Sequence, residues 1–204
     1  SGAAVASSSI ISSERGKLVT TREYPPELDV SGAEPRVGVF ICRCGINIGA
    51  VVDVPEVVGY AKTLPYVVHA EENLYTCSQD SQQKIKNRVK EFQLNRVVVA
   101  SCTPRTHERL FQDAIREVGL NPYLFEMANI REHCSWVHMH EGETATRKAK
   151  DLVRMTVAKA GMLEPLKKST LSVIPKALVI GGGLCGMTAA LEIALLALGG
   201  LAVG

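Results

Sequence analysis

Four short apolar runs, each followed by a stretch with the marks of a helix, constrain this chain more than any other feature. Val37-Gly38-Val39-Phe40-Ile41 is bounded by Pro35 and by a turn at Gly45, and Arg96 to Ser101 holds three consecutive valines; both read as buried strands. Tyr66 to Ala70 and Pro122 to Met127 read as two more. Between them lie helix signals. Asp53 can cap a helix with Pro55 and Glu56 in its first turn and Val57, Val58, Ala61 and Leu64 on its apolar face. Ile85, Val89 and Phe92 recur at helical spacing. Thr103 and Pro104 open a helix with Phe111, Ala114, Ile115 and Val118 on one side and Gly119 as its stop. Ala145, Ala149, Leu152, Val153, Val157 and Ala160 mark a last helix, closed by Pro165. Strands alternating with helices of this length predict an α/β fold, a parallel sheet with helices on both faces.

The predicted division is an arm or linker over 1–35, a cysteine-containing α/β domain over 36–165, and a restart of the pattern over 166–204. In that restart Lys176 to Ile180 reads as a strand, Gly181 to Gly186 as a turn, Met187 to Leu198 as a helix, and Leu201 to Val203 as the beginning of another strand. A parallel sheet cut off after its first helix buries neither face, so the expectation is a truncated Rossmann-type unit belonging to a longer protein. With 46% hydrophobic and 22% charged residues the chain reads as folded and soluble. Its net charge of +2 is scattered, which points away from nucleic acid. Ser1 to Ser13 lack the charged start and apolar core of a secretory signal, and Glu192 and Gly199-Gly200 interrupt the apolar run from Met187 to Val203. A buried helix, no direct membrane span and a cytoplasmic location are the expectations.

Five of the six cysteines lie between Cys42 and Cys134. Without a secretion signal, metal or redox use is preferred to a disulfide framework. Cys42 and Cys44 follow the first strand, Cys77 follows the second, Cys102 ends the third, and Cys134 lies a few residues beyond the fourth. Loops after the strands of an open parallel sheet gather on one edge, so these residues are expected to meet there. Four thiolates suit an iron-sulfur cluster or a structural zinc, although the spacing matches neither a zinc ribbon nor the compact ferredoxin run. Cys44, nearer the turn, is preferred over Cys42. Helix starts after Cys77 and Cys102 are expected to favour their thiolates, and a thiol-disulfide enzyme using Cys102 as nucleophile is a third reading. His138 and His140 make a weak His-x-His pair near His133, and Arg105 and His107 are candidates to balance cluster charge.

Gly181-Gly182-Gly183-Leu184-Cys185-Gly186 matches G-x-G-x-x-G between an expected strand and helix, the context that dinucleotide binding requires. Its glycines permit a tight turn and close backbone approach to a pyrophosphate at a helix N-terminus. The acidic residue expected about 20 residues further on falls beyond Gly204.

Cys42-Arg43-Cys44-Gly45-Ile46-Asn47-Ile48, Leu74 to Ser78, Val97 to Arg105, Asn121 to Trp136 and the Gly181 to Gly186 turn together resemble the A-type subunit of heterodisulfide reductase, from about Arg36 to Ala194. The resemblance implies an iron-sulfur flavoprotein oxidoreductase in which a cysteine-containing domain precedes an FAD domain and ferredoxin-type inserts. Implied partners are other heterodisulfide reductase-like subunits, ferredoxin, and hydrogenase or formate dehydrogenase subunits, with a disulfide-type acceptor. Carried over by position, Cys44, Cys77, Cys102 and Cys134 are the ligands of a four-iron four-sulfur cluster, with Cys42 in reserve, and Gly181, Gly182, Gly183, Leu184 and Gly186 meet the FAD pyrophosphate. The fragment alone is expected to be inactive. The alternative is a non-catalytic docking module that seats partner subunits and whose cysteines bind zinc or nothing.

Overall fold

A computed structural model describes residues 22–199 apart from 173 and 175. Tyr24–Lys167 form one compact unit, and the residues from Lys168 onward belong to a second. In the first, strands β1 (Val37–Cys42), β2 (Val67–Asn73), β3 (Arg96–Ser101) and β4 (Phe125–Asn129) form an all-parallel sheet in the order β2-β1-β3-β4. Helices α1 (Val54–Ala61), α2 (Gln79–Glu91), α3 (Pro104–Arg116) and α4 (Gly142–Gly161) cover it.

Every residue of β1 and β3 is buried. A central strand of a parallel sheet must be apolar on both faces, which is why these two read as unbroken runs. Alternate side chains feed two cores. Val37, Val39, Ile41, Val98 and Ala100 pack with Val54 and Val57 of α1 and Ala149, Val153 and Val157 of α4. On the other face Phe40, Val97 and Val99 meet Ile85 and Val89 of α2 and Phe111 and Ile115 of α3. Asp53 caps α1 as expected, accepting the Glu56 N–H at 3.0 Å, and Ser78 caps α2, accepting that of Ser81 at 3.3 Å, whereas Thr103 at the start of α3 makes no side-chain cap bond.

The edge strands depart from expectation. Tyr66 sits at φ 67° in a turn, and β2 runs on to Asn73. Asn121 accepts the Tyr123 N–H at 3.0 Å, and its carbonyl accepts that of Leu124, so Asn121 to Leu124 is a turn and β4 begins at Phe125. Part of the expected arm packs on the domain: the Leu28 N–H donates to the Gly119 carbonyl at 2.7 Å, Arg116 lies over the Tyr24 ring, and Val30 joins the second core.

In the second unit, α5 (Leu184–Gly199) follows the glycine turn. Lys176 to Ile180 is not a strand: among the described residues no neighbour pairs with it, and a parallel strand exists only through its hydrogen-bonded partner. The strand expected at Leu201 to Val203 lies outside the described residues. No described helix is long and apolar enough to cross a membrane.

Candidate functional site

Strand order fixes where a ligand can sit. From β1 the chain passes through α1 to β2 on one side, whereas from β3 it passes through α3 to β4 on the other. The loops after β1 and β3 therefore part, and such a switch point opens a crevice at the carboxyl ends of the strands. Each strand delivers a buried polar or sulfur-bearing residue to that end: Cys42 pairs in register with Asn73, and Ser101 with Asn129.

Cys42 closes β1, with its sulfur accepting the Thr76 N–H at 3.4 Å. Two residues on, Cys44 adopts the left-handed conformation, φ 39° and ψ 45°, and its N–H reaches the Leu74 carbonyl at 2.9 Å. A non-glycine residue there is strained, and such strain concentrates at functional sites. Half-buried Cys44 faces Arg131, whose Nη1 lies 4.0 Å from its sulfur. Cys77 is exposed beside the start of α2, close enough to Cys42 and Cys44 to feel both sulfurs. Cys102 opens the loop from β3 into α3 and feels Arg131.

Burial pushes the Cys102 thiol up, against the pull of Arg131, and partial desolvation followed by the neighbouring Cys42 sulfur pushes Cys77 up. Desolvation is the largest influence on both, so the expectation that helix starts would favour these thiolates is not met.

Cys134 lies in the first core, in the same buried cluster as Cys42. Arg131–Ser135 form a single wide turn in which the Ser135 N–H returns to the Ile130 carbonyl five residues back. That turn rotates Cys134 beneath α4, fully buried in the first core, where its thiol donates to the Ala145 carbonyl at 3.0 Å. His138 lies 3.4 Å from Glu141, and His133 and His140 are exposed. Arg105 is exposed and His107 half-buried in the first turns of α3.

Side chains without an obvious pattern in the sequence complete the crevice. Asn129 accepts the N–H groups of Arg131 and Glu132 at 3.3 and 2.9 Å, and Arg131 holds the Glu132 carboxylate at 2.8 Å. Burial opposes ionisation of Glu132, but Arg131 outweighs it and holds the carboxyl below its ordinary range. Asn73 Nδ2, Thr76 Oγ1 and Ser101 Oγ are buried with no hydrogen-bond partner. Each belongs to a strand end or is next to a site cysteine, and orphaned buried donors call for an acceptor.

Among the described residues no three His, Cys, Asp or Glu side chains close on one point tightly enough for a single metal ion. A four-iron cluster asks for something looser, because each thiolate binds a different iron and sulfide lies between them. Cysteines at successive strand ends beside unpartnered donors have the chemistry of such a ligand set.

In the second unit the expected strand before the glycine turn is absent among the described residues, while the helix after it is present. Gly181 has φ 109°, and a Cβ on Gly186 would collide with the Gly181 carbonyl oxygen. Gly182 and Gly183 face open space, and the Met187 N–H donates to the Gly183 carbonyl at 3.0 Å as α5 begins.

Fold and crevice together define a parallel α/β protein with a cysteine site at its switch point. The chain is 57% identical over 161 residues to the second iron-sulfur A-type subunit of CoB--CoM heterodisulfide reductase in Methanopyrus kandleri, covering 79% of this chain and 24% of that protein. It is 58% identical, with the same coverage, to the A-type subunit of the H(2):CoB-CoM heterodisulfide,ferredoxin reductase of Methanothermobacter marburgensis. It is 48% identical over 159 residues to the A-type subunit of the ferredoxin/F(420)H(2)-dependent CoB-CoM heterodisulfide reductase of Methanosarcina acetivorans, covering 78% of this chain and 20% of that one. No family model matches. Over 79% of its length the chain is similar to heterodisulfide reductase A-type subunits, and it spans about a quarter of the length of the curated relatives it matches.

Proposed function

We propose that the unit Tyr24–Lys167 carries a four-iron four-sulfur cluster in the crevice after β1 and β3 and serves as an electron-transfer station of an iron-sulfur flavoprotein oxidoreductase. The observation that carries this reading is the gathering of Cys42, Cys44, Cys77 and Cys102 at one sheet edge beside donors that lack partners. A cluster bound there supplies one-electron transfer. Cys44, Cys77 and Cys102 stay in the ligand set, and Cys42, the reserve, takes the fourth place. Cys134 leaves it, because its thiol is engaged with the Ala145 carbonyl in the core. Asn73, Thr76 and Ser101 are available to donate hydrogen bonds to sulfur.

Gly181, Gly182, Gly183, Leu184 and Gly186 are assigned to the pyrophosphate of FAD, a reading supported by the collision that any side chain at Gly186 would cause. In the longer protein, electrons pass between this site, FAD and a disulfide-type acceptor. Ferredoxin, hydrogenase or formate dehydrogenase subunits and further reductase-like subunits are the proposed partners.

The test is anaerobic purification of the 204-residue chain with iron and sulfide quantification. A brown protein with about four irons and four sulfides per chain is expected. Serine at Cys42, Cys44, Cys77 or Cys102 removes that content, and Cys134→Ala retains it. A colourless, iron-free preparation overturns the reading. Iron retained in Cys42→Ser and lost from a folded Cys134→Ala overturns the exchange of ligands.

A further inference from the structure

We propose that Arg131 is the counter-charge that sets the reduction potential of the cysteine site, and that Glu132 limits how much of that charge the site feels. This inference rests on the cluster reading above.

Arg131 is held from three directions. Its backbone N–H donates to Asn129 at the end of β4. Its guanidinium stacks over the Trp136 ring, 4.9 Å from the centroid. Glu132 Oε1 accepts from both Nε and Nη2, at 3.2 and 2.8 Å. That clamp leaves Nη1 facing the Cys44 sulfur at 4.0 Å, with Cys102 also within electrostatic reach. Both members of the ion pair keep less than a quarter of their side-chain surface exposed, so water screens them weakly. The other arginine beside the cysteines, Arg43, is paired outward with Glu72 and nearly half exposed.

A purely structural arginine would spend its whole fork on the carboxylate. Here the nitrogen that Glu132 does not use is turned toward sulfur, and the second carboxylate oxygen, Oε2, is buried without a partner. A cluster on four thiolates gains one negative charge on reduction. A fixed cation nearby stabilises the reduced form and raises the potential, whereas a nearby carboxylate lowers it. The two side chains therefore act with opposite sign on the same site.

The experiment is an anaerobic redox titration of the 204-residue chain, followed by visible absorbance and electron paramagnetic resonance, with iron content measured separately. Arg131→Gln is expected to lower the reduced fraction at fixed potential roughly tenfold, about 59 mV for a one-electron couple. Glu132→Gln shifts the titration the opposite way, and Arg131→Lys, which keeps the charge without the fork, lies between Arg131→Gln and the parent. Opposite shifts in iron-replete variants support the proposal. Unchanged potentials, or Arg131→Gln and Glu132→Gln moving in one direction, overturn it while leaving the cluster reading intact. If Arg131→Gln loses iron, Glu132→Gln and Arg131→Lys decide by the same signs. An iron-free parent overturns both readings together.

Discussion

Cys44→Gly is predicted to make the iron-free domain more stable while destroying the site. Cys44 holds φ 39° and ψ 45°, a conformation that costs a residue with a Cβ about 1–2 kcal/mol. Glycine removes that cost but brings a looser unfolded chain, worth about 0.4–1 kcal/mol in the other direction. Loss of the half-buried sulfur is separated out by Cys44→Ala, which makes the same deletion and keeps the strain. Glycine should therefore exceed alanine at this position by about 1 kcal/mol, roughly 2–5 °C in Tm for a domain of this size. The assay is thermal unfolding of both variants with chelator and reductant present, so that neither iron nor disulfides contribute. If Cys44→Gly melts at or below Cys44→Ala, the backbone at Cys44 is not strained, and the inference that a ligand keeps a cysteine where glycine would fold better fails.

Cys134→Ala should unfold at lower denaturant, by about 1–3 kcal/mol, since it opens a cavity and strips a hydrogen bond from the Ala145 carbonyl. Asn129→Ala leaves the N–H groups of Arg131 and Glu132 without their acceptor; a loss of about 1–3 kcal/mol is expected in the same assay. The thiols of Cys77, Cys102 and Cys134 are raised in the folded state, chiefly by desolvation, so folding favours their protonated forms. That contribution is fully present below the ordinary thiol pKa of about 8.5 and is lost as the pH climbs through the folded values. Iron-free protein should consequently lose stability on the alkaline side of that point, and an unchanged denaturation midpoint from neutral to strongly alkaline pH would contradict it.

The central half of the sheet was legible in the residues because burial on both faces leaves little choice of side chain. Val37 to Ile41 and Val97 to Ala100 can be read without a partner in view. Edge strands carry less information: β2 alternates with solvent and its start is set by the turn at Tyr66, while β4 is delayed by a turn that Asn121 makes through its side chain. The sites of Cys44, Cys77 and Cys102 followed from strand ends alone. The buried position of Cys134 in the core did not, since the five-residue return from Ser135 to Ile130 inserts one position into the helical count, and no periodicity encodes it. Arg131 was missed for a different reason: its sulfur contact spans 87 positions, and nothing local to it records that distance. The buried Asn73, Ser101 and Asn129 closing three of the strands were a usable signal, because a buried polar residue there needs something to bind.

The way the unit is tethered has a consequence of its own. Its incoming segment reaches the sheet at Val37, and its outgoing segment is clipped to the start of β3, where Arg96 Nη2 donates to the Leu163 carbonyl at 2.6 Å. Both tethers thus leave from the pole opposite the thiols, about 20 Å away along six-residue strands. An insertion spliced in just after Lys167 therefore falls a strand's length from the cysteines and leaves their surroundings as they are.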